Sequence, residues 1–319
     1  MADSKASAGM KNELVTVFGG GGFIGRYVVQ ALLRAGARVR VAQRDPRQAW
    51  FLRTHGSLGR VQLVAADVTR PDTVASAVHA ADAVVNLVGV FGGNLQRVHV
   101  DGARTIAQAA TAAGARALVH LSAIGADAAS LSNYGRSKGQ GEAAVREAFE
   151  AATILRPSVV FGPEDAFINR FAKLVAQAPV VPVLRAGVRF QPVFVGDVAN
   201  AVVAALNPAH PIGRTLDLGG PDIITMGALL RWIADAIGRR PAFVDLPDFA
   251  GSAIARAGFL PGAPISWDQW LMLQSDNVAA EDGLAALGVS ATPLGAVAPG
   301  FLVRFRRQGR FSGRADTLA

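Results

Sequence analysis

Two side chains with complementary acid–base chemistry stand four residues apart in the string YGRSK: Tyr134 and Lys138. On a helix that spacing puts both on one face, so an ammonium can lie beside a phenol. A tyrosine with an ordinary pKa of about 10 is only ~0.1% ionised at pH 7, and each unit of lowering makes ~1.4 kcal/mol available to proton exchange with a substrate oxygen. Lys138 is the obvious means of lowering it. Ser122 lies 12 residues before Tyr134 and can serve the same oxygen, although Ala123 competes for that position in the strand-end string LSAIGA. If Ala123 holds it, the loss of one transition-state donor costs ~10²–10³ in rate. Tyr-x-x-x-Lys is common by chance on helix surfaces, so its weight comes from the elements around it.

Near the start, FGGGGFIG places Gly19, Gly22 and Gly25 directly after the β-branched run LVTVF and at the mouth of a helical pattern. Glycines there permit a tight turn and let backbone N–H groups, including those of Phe23 and Ile24, approach a pyrophosphate at a helix N-terminus. The end of the second strand then selects the dinucleotide, since a carboxylate binds the ribose 2′-OH and repels a 2′-phosphate. This chain has Gln43 and Arg44 there. A guanidinium grips a phosphate in two places, so the reading favours NADP(H) over NAD(H). Asp45 is one residue further on, where a small shift of register would restore an acid, and the bland alternative for Arg44 is a solvated surface arginine. Asp67, with Val68, follows the third strand, where it can address the adenine. Asn86, Leu87, Val88 and Gly89 end the fourth and line the trough with small groups. Ligands of parallel sheets gather at such carboxyl ends, although plain turn chemistry explains either string.

The elements needed to hold these groups are legible as β-branched runs alternating with helical patterns: LVTVF, ARVRVAQ, VQLVAA, AVVNLV, ALVHLS and TILRP. Between the first two, Ile24, Val28, Val29, Leu32 and Leu33 fall at helical spacing and Gly36 closes the segment. The expected class is α/β: a Rossmann-type doubly wound parallel sheet with a smaller C-terminal cap. The expected division is a flexible tail over 1–12, the dinucleotide-binding domain over 13–163 with 190–220, the cap over 164–189 with 221–300, and a basic tail over 301–319.

Composition narrows the chemistry. With 51% hydrophobic and 18% charged residues in 319, the chain is packed for most of its length. It has no cysteine, and its five histidines show no ligand spacing, so no metal site is expected. No apolar run reaches the ~18 residues that span a bilayer, and the opening segment lacks a secretory stretch. The expectation is a cytoplasmic protein. The formal charge of +8 is spread widely and gives no reason to expect nucleic acid. The last 19 residues are an exception: five Arg against one Asp, interleaved with Phe301, Phe305 and Phe311. At ~1 kcal/mol per basic residue, such a tail supports reversible attachment to an anionic membrane. A frayed solvated terminus fits equally well.

Together the glycine string, Asp67-Val68, NLVG, YGRSK, RPSVVFGP and FVGDVANAV resemble the extended short-chain dehydrogenase/reductase superfamily, the NAD-dependent epimerase/dehydratase type, from about Leu14 to Pro221. The resemblance implies that Pro157 and Val160 also flank the cofactor. Further strings, SAIGADAASLSNYGRSKGQGE, FGPEDAFINRFAKL, LPGAPISWDQWLMLQSDNV and LGVSATPL, resemble an atypical branch: the nucleotide-binding accessory subunits of respiratory complex I and their bacterial relatives. That branch implies tightly held NADP(H), little or no turnover, and attachment to complex I subunits near the membrane and ubiquinone. Two other functions fit the same residues. One is an active NADP-dependent reductase or epimerase acting on a nucleotide sugar or quinone-pathway intermediate. The other is a sensor that reports dinucleotide redox state to a partner.

Overall fold

The computed structural model describes residues 10–210, 213–258, 265–307 and 309. They divide into two compact units. One comprises the chain through Pro157 with Val195–Leu218 and Ala280–Ser290; the other comprises Ser158–Phe194, Gly219–Ala279 and the chain from Ala291 onward.

The first unit is built on a seven-stranded sheet. In chain order its strands are β1 (Leu14–Phe18), β2 (Arg38–Gln43), β3 (Val61–Ala65), β4 (Ala83–Asn86), β5 (Ala117–Leu121), β6 (Thr153–Pro157) and a last strand, Thr215–Leu218. All pair in parallel, in the spatial order last strand, β6, β5, β4, β1, β2, β3. The order reverses between β1 and β4, and it is the mouth of that crevice that binds ligands in doubly wound sheets. The central strands are buried on both faces, which is why they read as unbroken apolar runs. Helices α1 (Phe23–Arg34), α2 (Pro71–Val78), α3 (Gly102–Ala112) and α4 (Asn133–Ala148) return the chain between strands. Phe18, Val84, Ile106, Leu118 and Val145 meet in one core between sheet and helices.

The second unit has a core of its own, in which Phe161, Ile168, Val181, Leu229, Leu230 and Ile233 pack with Leu302. Short strand pairs hold its segments: Val160–Phe161 with Val193–Phe194, and Arg189–Phe190 with Ile224–Thr225.

Five segments depart from the expected division. Residues 280–290 belong to the sheet unit and not to the cap, because the helix Gly283–Ala286 docks on the last strand: a Cβ at Gly283 would stand 2.3 Å from the Asp217 carbonyl oxygen. Residues 158–163 and 190–194 join the second unit through the strand pairs just named. Part of the N-terminal tail is packed. Met10 is buried and Asn12 N–H donates to the Gly36 carbonyl at 3.0 Å, while residues 1–9 lie outside the described residues. The basic tail likewise begins as core: Leu302 is fully buried, Phe301 and Phe305 pack beside it, and Arg306 donates to the Ala236 carbonyl at 3.1 Å. Arg304 bonds the Pro163 carbonyl and the Asn169 side chain. Phe311 lies outside the described residues. Among the described residues no helix is long and apolar enough to cross a membrane.

Truncating a fully buried leucine removes its transfer energy and leaves a cavity, so we expect Leu302→Ala to cost about 2–5 kcal/mol in chemical denaturation. A cost under ~0.5 kcal/mol would mark this segment as peripheral after all.

Candidate functional site

The first βα turn is shaped by backbone meeting backbone. Gly19 has a positive φ of 79°, a conformation open to glycine, and its N–H donates to the Ala42 carbonyl at 3.1 Å. A Cβ on Gly25 would lie 2.3 Å from the Gly19 carbonyl oxygen and 2.6 Å from the Gly20 α-carbon. Gly22 is the extended N-cap of α1 and supplies no side-chain cap, so the helix-opening amides, with Phe23 and Ile24 as its first residues, keep their affinity for an anion. The residues present therefore fit a diphosphate.

At the end of β2 the side chains do more than their order in the sequence suggested. Gln43 accepts from the Gly21 N–H at 3.1 Å and donates to the Asp45 carbonyl at 2.7 Å, bracing the glycine turn from beneath. Asp45 is turned away from the role of ribose acid. Its carboxylate caps the 3-10 segment Pro46–His55, accepting from Arg47 N–H at 3.1 Å and from its guanidinium at 2.9 and 3.2 Å. Those bonds hold the Asp45 carboxyl below the usual carboxylate range. Arg44 is exposed and makes no hydrogen bond or ion pair among the described residues. Asp67, after β3, accepts from Thr69 N–H at 2.9 Å and Thr69 Oγ1 at 2.8 Å. These bonds, and then the charges of Arg44 and Arg97, lower its pKa against the opposing effect of burial. Val68 beside it is buried.

The ends of β4 and β5 carry a buried polar tier. Leu87 N–H donates to the Phe18 carbonyl at 3.0 Å, and a Cβ on Gly19 would lie 3.3 Å from the Leu87 carbonyl carbon, so this strand end abuts the glycine turn. Asn86 Oδ1 accepts from Val88 N–H at 3.0 Å, leaving its amide nitrogen to donate to His120 Nδ1 at 3.1 Å. That assigns the His120 proton to Nε2, which is buried with no partner among the described residues. Ser122 Oγ is also buried and without one. Lys138 Nζ donates to the Leu121 carbonyl at 2.9 Å. Gly89 is exposed at the rim. Pro157, buried at the end of β6, accepts from Ile124 N–H at 3.1 Å; Val160 lies in the second unit, paired with Val193.

Tyr134 departs from expectation. Its ring stacks on Phe91 at 4.9 Å and 15°, and His99 meets its edge at 5.6 Å. Burial pushes the phenol up to about 12. The expected lowering by Lys138 is absent although that ammonium, pushed down to about 8 by its own burial with Glu142 opposing, is still mostly charged at pH 7. Desolvation outweighs the neighbouring charge. His99, missed in the sequence because an isolated histidine in a helical stretch has no pattern to mark it, is buried on a π-helical segment, Gln96–Asp101. Phe91 was missed as one aromatic in a glycine-rich loop.

Residues 15–219 match the NAD dependent epimerase/dehydratase family. The chain belongs to that family. It is homologous to a mitochondrial complex I subunit of mouse, NADH dehydrogenase [ubiquinone] 1 alpha subcomplex subunit 9. The two are 35% identical over 292 residues, 88% of this chain and 77% of the relative. It is also 34% identical to a ceramide reductase of Caulobacter vibrioides, over 74% of each chain. Among solved structures, the NADPH complex of the Escherichia coli quinone oxidoreductase QOR2 superposes with a TM-score of 0.75 at 19% identity, covering 90% of this chain and 99% of that one. Like other epimerase/dehydratase folds, the sheet unit is an NAD(P)-binding one.

His99 gives the site a pH signature. Burial, with Lys138 second, lowers its pKa from 6.5 to about 4. The unfolded chain therefore binds the extra proton between those values, and stability present above pH 6.5 is lost as pH falls through 4. We expect the wild type to lose about 3 kcal/mol more than His99→Gln over that window in denaturant titrations. Parallel losses in the two proteins would show that the folded imidazole titrates normally.

Proposed function

We propose that this chain holds NADP(H) in the sheet unit and serves as a cofactor-loaded accessory protein of the complex I type, with slow turnover or none. The observation that carries the reading is the covered Tyr134: the group that must exchange a proton lies under Phe91 with its pKa near 12, while the dinucleotide turn stands ready. A phenol so raised is a poorer acid toward a substrate oxygen by ~1.4 kcal/mol per unit. The cofactor choice is supported by Arg44, exposed at the end of β2, and by Asp45, whose charge is answered by Arg47. The homologous mitochondrial subunits support complex I subunits as partners.

When bound, the nicotinamide supplies or accepts a hydride. The chain's own part is to hold the diphosphate on the amides at Gly22–Ile24, to meet the 2′-phosphate with Arg44, and to offer Lys138 to the nicotinamide ribose. Gln43 keeps the turn in place, with Leu87, Val88 and Gly89 along the trough. Asp67 and Val68 take the adenine side, and Pro157 the nicotinamide side.

One observation favours a second reading, an active reductase. Ser122 Oγ is buried without a partner, one residue beyond the Leu121 carbonyl that Lys138 bonds, as a hydroxyl kept for a substrate oxygen would be. The Caulobacter relative is named for such an activity.

Charge-assisted hydrogen bonds contribute ~1.5–3 kcal/mol, so Arg44→Ala is expected to weaken NADPH binding about 10–100-fold and leave NADH unchanged, as read by calorimetry. In mild detergent the tagged chain should co-migrate with complex I subunits. Consistent migration alone, together with NADPH oxidation on a carbonyl or quinone that Tyr134→Phe abolishes, would replace this reading with the reductase.

A further inference from the structure

The histidine beneath Tyr134 bonds in two directions, and its chemistry fixes which way each bond runs. Val90 N–H donates to His99 Nε2 at 3.0 Å, so that nitrogen is the unprotonated one. The ring proton is then on Nδ1 and is given to Ser137 Oγ at 2.9 Å; that hydroxyl in turn donates to the Tyr134 carbonyl at 2.9 Å. One neutral imidazole thus joins the loop after β4 to the first turn of α4. We propose that His99 is a positioning residue that clamps the Val90–Phe91 segment onto Tyr134, making Phe91 a cap that must lift before a substrate oxygen can reach the phenol.

The two ends of the clamp differ in mobility. His99 is the fixed end: it is 2% exposed, and α4 comes so close that a Cβ on Gly141 would stand 2.3 Å from the His99 carbonyl oxygen. Phe91 is the movable end. Its side chain is 77% exposed, although one face lies flat on Tyr134. Glycines flank it: Gly89 on one side and Gly92 and Gly93 on the other, the last with a φ of 78°. A Cβ at Gly92 or Gly93 would meet nothing within 4 Å, so the hinge has room to turn. It opens onto a polar cleft of about 560 Å³ between Asn94 and Gln96 on one wall and Asn133, Arg136 and Gln140 of α4 on the other. An exposed aromatic held on a glycine hinge by one backbone hydrogen bond has the parts of a gate.

The proposal rests on the same Phe91–Tyr134 stack as the reading of slow turnover, but none of these contacts is a bond to the glycine turn, so it can fail while dinucleotide binding stands. Tyrosine nitration tests it, with Tyr27, the other of the chain's two tyrosines, as internal reference. Protein stripped of bound nucleotide over charcoal is treated with tetranitromethane, and the two peptides are followed by mass spectrometry. Tyr134 in the wild type should react slowly relative to Tyr27. The reagent attacks the phenolate, and each unit of pKa is a tenfold change in its population. Phe91→Ala and His99→Leu are therefore expected to raise the Tyr134 rate at least ~10-fold. His99→Gln, which can accept from Val90 and donate to Ser137, should restore protection. Phe91→Ala removes a solvent-exposed side chain and keeps the test decisive should His99→Leu not fold. Equal Tyr134 rates in wild type and Phe91→Ala, or protection persisting in a folded His99→Leu, would overturn the proposal.

Discussion

The carbonyl of Gly19 and the α-carbon of Gly25 approach so closely that any side chain at position 25 would fall 2.3 Å from oxygen, and much of the site descends from that contact. It sets the entry angle of α1 and so aims the helix-opening amides. It leaves Gly21 within reach of Gln43, which ties the end of β2 to the turn. It also seats Gly19 against Leu87, fixing the end of β4 and the start of the loop that carries Phe91. A change at one glycine would be felt at three strand ends.

Around Tyr134 the governing balance is between desolvation and charge. A buried ammonium would stabilise a nearby phenolate, but the same burial penalises both ions, and here the penalty prevails in each. The tier is accordingly neutral apart from Lys138. His99 and His120 are held neutral by burial, Asn86 orients one of them, and Ser137 receives the proton of the other. A neutral tier of this kind leaves proton transfer to whatever rearrangement re-solvates or recharges the phenol.

The parallel sheet was legible because its strands are buried on both faces and show as apolar runs, and the glycine turn was legible because the positive φ of Gly19 and the close backbone approach at Gly25 favour glycine. What escaped were contacts fixed by where a side chain turns. The order Gln-Arg-Asp favoured an arginine at the ribose but left a carboxylate open under a shift of one residue, and nothing in that order says that Asp45 folds back onto Arg47. The Tyr134–Lys138 spacing placed the pair correctly on one helix, but spacing carries no information about solvent, so the direction of the tyrosine's shift was misjudged. Composition misled at the C-terminus. Arginines among phenylalanines read as a surface tail, yet Leu302 and its neighbours fill the second core. The return of 280–286 to the sheet rests on close approaches of Ala280 and Gly283 to Asp217, with no periodic signature.

The central claim is that the amides at the mouth of α1 hold a diphosphate while the end of β2 welcomes a 2′-phosphate. Calorimetry with the two nicotinamide-free fragments, ADP-ribose and its 2′-phosphorylated form, isolates it from everything at Tyr134. Binding of both, with the phosphorylated fragment tighter by at least ~10-fold as a charge-assisted contact to Arg44 requires, is the result this account predicts. Failure of either fragment to bind folded protein, or preference for plain ADP-ribose, would contradict it.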